Sequence, residues 1–129
     1  MSKPNILVIQ ADQLTALCLQ AYGTPYALTP HMDRIAARGT TYLNSYCNSP
    51  VCGPSRASMM TGRLPSNVGV YDNAGEFLSS EPTYAHYLRT LGYQTSLVGK
   101  MHFVGPDQLH GFERRLTTDI YPSDFSWKR

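Results

Sequence analysis

A short apolar run near the N-terminus, residues 5–10 (NILVIQ), is followed at once by Ala11, Asp12 and Gln13. A continuous β-favouring run suits a strand covered on both faces, and such strands belong to parallel sheets sandwiched between helices. The first polar residues past its carboxyl end, Asp12 and Gln13, then stand where open α/β sheets place their ligands. The rest of the chain alternates in the same sense. Residues 14–29 carry Gly23 and Pro25 and read as loop. Thr29 as N-cap, Pro30 at the first position, apolar Met32, Ile35 and Ala36, and Gly39 as the stop signal a helix. Residues 40–46 alternate and are rich in β-formers, which predicts a second strand. Another helix begins near Pro54, and the Gly/Asn/Pro/Ser-rich residues 64–80 read as a long surface loop. Residues 81–91 give a helix whose apolar positions Tyr84, Tyr87, Leu88 and Leu91 follow the helical period, with Gly92 at its end. Residues 93–98 predict a third strand running into Gly99, Lys100, Met101 and His102, and beyond it the chain reads as polar and irregular. This order predicts an α/β fold with a mostly parallel sheet flanked by helices. Three strands and three helices do not cover both faces of such a sheet. Residues 1–129 therefore read as the N-terminal part of a larger domain.

Charge and hydropathy exclude several classes. Eleven Lys and Arg against nine Asp and Glu give a net charge of +2, and no run of them forms a basic patch, so no nucleic-acid partner is expected. No apolar run approaches the roughly 20 residues of a membrane span. The opening MSKPNILVIQADQ lacks the longer apolar core and cleavage site of a secretory signal, so a cytoplasmic protein is the expectation. The three cysteines, Cys18, Cys47 and Cys52, contain no C-x-x-C pair, which argues against a disulfide framework or structural zinc. Cys18 and Cys47 read as small buried hydrophobes.

Cys52 stands apart. It lies at the start of a helix, with Arg56 four residues on and on the same face. Lys100 and His102 lie two apart at the carboxyl end of the last strand and share a side if the strand continues. A helix N-terminus favours negative charge. Cys52, Arg56, Lys100 and His102 together suit a tetrahedral anion, the arginine as a planar fork and the lysine as a point charge. Asp12 suits a divalent cation on the same side.

The segment C-G-P-S-R-x-x-x-x-T-G, Cys52 to Gly62, is similar to the signature of the sulfatase family within the alkaline-phosphatase-like superfamily. PNILVIQADQ resembles that family's first strand with its metal-ligand aspartate, TPHMDRIAARGTTYLNSY its first helix and second strand, and GYQTSLVGKMH its strand ending in G-K-x-H. The resemblance implies a sulfuric ester hydrolase in which Cys52 is oxidised to formylglycine by a maturation enzyme that reads Pro54 and Arg56. The hydrated aldehyde then supplies one hydroxyl to attack sulfur and another whose deprotonation expels sulfate. Arg56 would stabilise the nucleophile. Asp12 would ligate a calcium ion, or alternatively magnesium or manganese, that also binds residue 52 and a sulfate oxygen. Gln13, where many of the family carry a second aspartate, is a weaker ligand candidate. Lys100 and His102 would contact sulfate oxygens or the leaving oxygen.

The D-Q pair at 12–13, VYDN at 70–73 and the stretch from Gly105 to Trp127 resemble the choline sulfatases within the family. That implies choline O-sulfate as the small-molecule substrate and a homo-oligomer at full length. A quaternary ammonium needs an aromatic cage, for which Trp127 is the first candidate, with Tyr121 and Phe125 weaker. An aryl or carbohydrate sulfatase, or a phosphonate or phosphate ester hydrolase of the same fold, is the alternative, and an inactive truncated fragment is the non-enzyme alternative. His31, His86 and His110 read as structural or surface residues, Met59 and Met60 as helix packing, and Arg63 as a supporting ion pair.

Overall fold

The computed structural model describes residues 3–119. Trp127, Tyr121 and Phe125, the candidates for an aromatic cage, lie outside the described residues. The chain divides into two compact units, one up to Tyr46 and the other from Cys47 on.

The first unit contains two 3-10 turns, Ala16–Cys18 and Gln20–Tyr22, and helix α1, Pro30–Ala36. Pro30 stands in the first turn of α1 as expected, but Thr29 does not cap it through its side chain. The Thr29 hydroxyl instead accepts from the Gln20 N–H at 3.1 Å and donates to Asp33 at 3.1 Å. Residues 5–10 and 40–46, predicted as strands, are not strands. A strand buried on both faces exists only through its neighbours, and among the described residues the one sheet has two strands, both later in the chain. Leu7 and Ile9 are accordingly 82% and 81% exposed. No described residue up to Tyr46 is buried, and Cys18 and Cys47, read as core thiols, are both exposed.

The second unit has a core. Helix α2, Cys52–Thr61, starts two residues before the predicted Pro54 and stops where Gly62 turns left-handed, φ 69°, its N–H donating to the Ser58 carbonyl. The predicted loop after it contains a single helical turn, α3, Pro65–Val68. Helix α4 spans Tyr84–Thr90, shorter than the predicted 81–91, because Thr83 is its N-cap and leaves Pro82 outside. The Thr83 N–H donates to His86 Nδ1 at 3.1 Å and its hydroxyl to the His110 carbonyl at 2.6 Å. The inward face of α4 centres on Ala85 rather than on Tyr87 and Leu91, which are exposed. Strand β1 is only Ser96–Leu97, against the predicted 93–98, and it pairs in parallel with β2, Arg114–Arg115, in a segment that reads as irregular. Pairing, not propensity, sets where β1 ends.

Ala57, Met60, Val68, Val70, Phe77, Ala85, Leu97, Met101, Phe103 and Phe112 form one buried cluster that joins α2, α4, β1 and the loops between them. Met60 is buried and Met59 exposed. Ser58, also buried, accepts from Asn48 at 2.7 Å and donates to the Arg63 carbonyl at 2.6 Å, fixing both ends of α2. Among the described residues no helix is long and apolar enough to cross a membrane.

Candidate functional site

Helix α2 presents its first residue, Cys52, half-buried. Its sulfur lies 3.1 Å from His102 Nδ1, 3.6 Å from Lys100 Nζ and 3.4 Å from Asn73 Oδ1. Lys100 and His102 are not on a continuing strand. β1 stops at Leu97, and His102 is held in the left-handed region at φ 58°. A residue other than glycine in that region is strained by order 1–3 kcal/mol, and such strain collects at functional sites. Here it turns the imidazole back towards α2. The other ring nitrogen, Nε2, is 2.8 Å from the Asn73 carbonyl. A carbonyl only accepts, so Nε2 carries a proton, and in the neutral ring Nδ1 offers its lone pair to whatever residue 52 presents.

Asn73, to which the sequence reading gave no role, is the centre of this arrangement. Its side-chain oxygen accepts the Gly53 N–H at 2.8 Å. α2 has no cap of its own, since Val51 at the N-cap position makes no side-chain bond, so Asn73 serves as a remote cap. The fit explains one fixed glycine: a Cβ on Gly53 would stand 3.1 Å from Asn73 Oδ1 and 3.2 Å from the Asp72 carbonyl oxygen. The only sign of Asn73 in the sequence is its place in VYDN.

Arg56 is buried on α2, and its guanidinium donates to the Lys100 carbonyl at 2.8 Å and approaches the Met101 sulfur at 3.8 Å. It therefore braces the loop that carries Lys100 and His102. Asp12 and Gln13 lie in the first unit, in an exposed bend after the apolar run. Their oxygens are the donors a hard cation takes, and two of the six to eight that calcium collects. Among the described residues no three His, Cys, Asp or Glu side chains come together as a metal site. Arg63 pairs with Glu81, and His31 bonds Arg34 at 3.0 Å on the surface.

In the same unit His110 is fully buried, stacked on Phe77 at 4.2 Å and edge-on to Phe103 at 4.4 Å, with no hydrogen-bond partner for either ring nitrogen. Burial pushes its ring below the usual histidine range against the pull of the Asp107 carboxylate. Asp119 accepts from Arg115 at 2.6 Å and from the Met101 N–H at 3.1 Å. Burial works to raise its carboxyl. The Arg115 and Met101 hydrogen bonds and the Arg115 charge outweigh it and hold the group below the usual carboxylate range.

Residues 4–127 match the sulfatase family model. The chain is 57% identical over 125 residues to the choline-sulfatase of Rhizobium meliloti (strain 1021), covering 97% of this chain and 24% of that protein. A solved structure described as a complex with its substrate D-glucosamine-2-N,6-O-disulfate is 36% identical, with a TM-score of 0.83, over 88% of this chain and 23% of the other. The phosphonate monoester hydrolase of Agrobacterium radiobacter is 26% identical, with a TM-score of 0.78, over 89% and 26% of the two chains. The α/β fold of this superfamily, read from the order of elements, is the fold of these neighbours. The chain thus spans about a quarter of the length of the relatives it matches.

Proposed function

The chain belongs to the sulfatase family, and on that footing we propose that it carries the nucleophile and anion-binding side of a hydrolase that converts choline O-sulfate to choline and sulfate. One observation carries the reaction class: the side chain of residue 52 sits within 3.6 Å of both a lysine ammonium and an imidazole nitrogen, at the start of a helix. The 57% identity to a choline-sulfatase and the D-Q pair at 12–13 support the choice of substrate.

In this reading Cys52 is the residue a maturation enzyme converts to formylglycine, whose hydrate supplies the attacking hydroxyl. Lys100 places a positive charge where the transferring sulfate gathers negative charge, and the N–H groups opening α2 add a favourable field. His102, with its proton fixed on Nε2 by the Asn73 carbonyl, takes up a proton at Nδ1 on the side facing residue 52 and can return it to the departing choline oxygen. Arg56 keeps the lysine and histidine in register through the Lys100 carbonyl. Asp12, with Gln13 beside it, would hold the divalent metal, calcium or else magnesium or manganese, which supplies charge neutralisation and a more acidic bound hydroxyl. Trp127 is the proposed wall for the trimethylammonium group. We place the enzyme in the cytoplasm, as a homo-oligomer at full length.

The test is sulfate release from choline sulfate by the full-length protein, beside an aryl sulfate, a sulfated amino sugar and a phosphonate monoester, with Cys52→Ala as control. Release that favours choline sulfate and vanishes in the control is the expected result. Preference for another ester would discard the choline assignment and keep the nucleophile. Equal release by Cys52→Ala would remove the nucleophile itself.

A further inference from the structure

Around His102 the backbone forms a small concave nest. The N–H groups of Met101 and Phe103 flank the left-handed residue and converge on one atom, Asp119 Oδ2, at 3.1 and 3.4 Å. Successive N–H groups around a left-handed residue make an anion-binding hollow, and here the anion is the chain's own carboxylate. Its side chain is 1% exposed. The same oxygen receives Arg115 Nη2 at 2.6 Å, and Arg115 is itself fixed by the Gln108 carbonyl and side chain, each at 3.0 Å, and lies over the Phe103 ring.

Two of the three side chains that contact residue 52 hang on this nest. Lys100 and His102 stand on either side of Met101, whose N–H is one of the two. β1 ends at Leu97, so no sheet ladder holds residues 100–103. The left-handed turn at 102 is unfavourable by itself, and a buried carboxylate accepting from both flanking N–H groups offsets it alongside the Arg56–Lys100 and His102–Asn73 bonds.

We propose that Asp119, locked by Arg115, is a positioning residue of this site: its carboxylate fixes the left-handed turn that presents His102 Nδ1 and Lys100 Nζ to residue 52. The proposal rests on the sulfatase reading for its kinetic readout but not for its chemical one. Asp119 acts through the N–H groups of Met101 and Phe103.

The experiment uses the full-length protein with Asp119→Ala and Asp119→Asn. The asparagine keeps one acceptor oxygen for the two N–H groups, puts an NH2 group in place of the other oxygen and removes the charge facing Arg115. Supporting residues of this kind are typically worth about 10- to 100-fold in activity. Asp119→Ala is expected to lower kcat by about that factor with KM changed less, since misplacement acts on the chemical step. Asp119→Asn is expected to recover most of the loss. A second measurement needs no turnover: alkylation of Cys52 in protein where it is still a thiol, read by mass spectrometry against the exposed Cys18 and Cys47 as internal references. The Cys52-to-Cys18 rate ratio of Asp119→Ala should shift to that of a Lys100→Ala/His102→Ala double variant. A wild-type ratio together with wild-type kcat per folded molecule in Asp119→Ala or, if that variant does not fold, in the near-isosteric Asp119→Leu, which also lacks an acceptor, overturns the proposal. If the wild-type protein turns over no ester, the substrate reading fails and the alkylation ratio still decides the role of Asp119.

Discussion

Replacing Asn73 separates two roles that meet in one side chain. Its Oδ1 caps α2 through the Gly53 N–H at 2.8 Å, while Cys52 Sγ stands 3.4 Å away. In Asn73→Ala the buried Gly53 N–H loses its acceptor and α2 loses its only side-chain cap. Removing a cap costs about 0.5–2 kcal/mol, and an orphaned buried donor falls in a similar range, about 1–3 kcal/mol. A loss of about 1.5 kcal/mol is a roughly tenfold change in an equilibrium constant. The Gly53 amide should therefore exchange with solvent about tenfold faster, and the unfolding midpoint should fall. Asn73→Asp keeps the acceptor and adds a negative charge at a helix N-terminus, a favourable placement by about 0.3–1 kcal/mol. That charge faces residue 52, where the proposed nucleophile would carry its own. Two unit charges 3.4 Å apart repel by about 5 kcal/mol at an effective dielectric of about 20, and half of that is nearly two orders of magnitude in rate. Asn73→Asp should thus keep or gain stability while turnover of the sulfate ester drops about 50-fold or more. Hydrogen exchange at Gly53, urea denaturation and single-turnover kinetics read the two effects separately. If Asn73→Ala left Gly53 exchange within twofold of wild type, or if the aspartate destabilised as much as the alanine, the remote cap would be wrong.

Gly111 is left-handed at φ 94°, and a Cβ there would lie 2.6 Å from His86 Nδ1 and 2.7 Å from the His86 backbone nitrogen. Gly111→Ala should lose at least about 1–3 kcal/mol in denaturant melts, because neither the turn nor the start of α4 can give way. His110 is held neutral by burial, with Asp107, His86 and Arg115 as the charged groups around it. Its folded pKa lies below the ordinary 6.5, so the unfolded chain takes up a proton first and stability falls as pH drops below about 6.5. His110→Phe keeps the stacking, removes two unpartnered nitrogens, and should flatten that part of a stability-versus-pH curve. Asp119 has the opposite origin and the same sign. Its pKa is lowered from 3.8, so its contribution is complete above that value and is lost as pH falls through the lowered one, a step absent from Asp119→Asn. Dialysis against a chelator should abolish sulfate release by the matured protein, and calcium or magnesium should restore it.

What could be read from the chain is what depends on neighbours in sequence. Gly92 stops α4, left-handed at φ 80° with its N–H donating to the Arg89 carbonyl at 2.8 Å, because only the local backbone matters there. Lys100 and His102 were visible beside each other in GKMH, and they do meet Cys52. Asn73 was not, because its partners lie 20 residues before it and 29 after it, and nothing in a polar loop marks an asparagine as a cap for a distant helix. Asp119 and Arg115 escaped for the same reason. The segment has an irregular, polar pattern, yet it supplies a strand and the carboxylate that accepts from the Met101 N–H. The strands predicted at 5–10 and 40–46 failed from the other direction. Their composition favours β structure, but a strand is a property of pairs, and among the described residues neither has one.

The distance along the chain between Cys52 and its partners also sets an order of events during synthesis. His102 is 50 residues downstream. At about 5–20 residues per second, roughly 3–10 seconds separate the appearance of the thiol from that of the imidazole which will stand against it. During that interval the CGPSR segment lacks the His102 and Lys100 partners it has in the folded chain. In the folded chain Gly53, Pro54 and Arg56 are buried, and the same segment shows only parts of Cys52 and Ser55. If residue 52 is oxidised as proposed, the fold gives that step a deadline, and a nascent chain that misses it would keep a half-buried thiol.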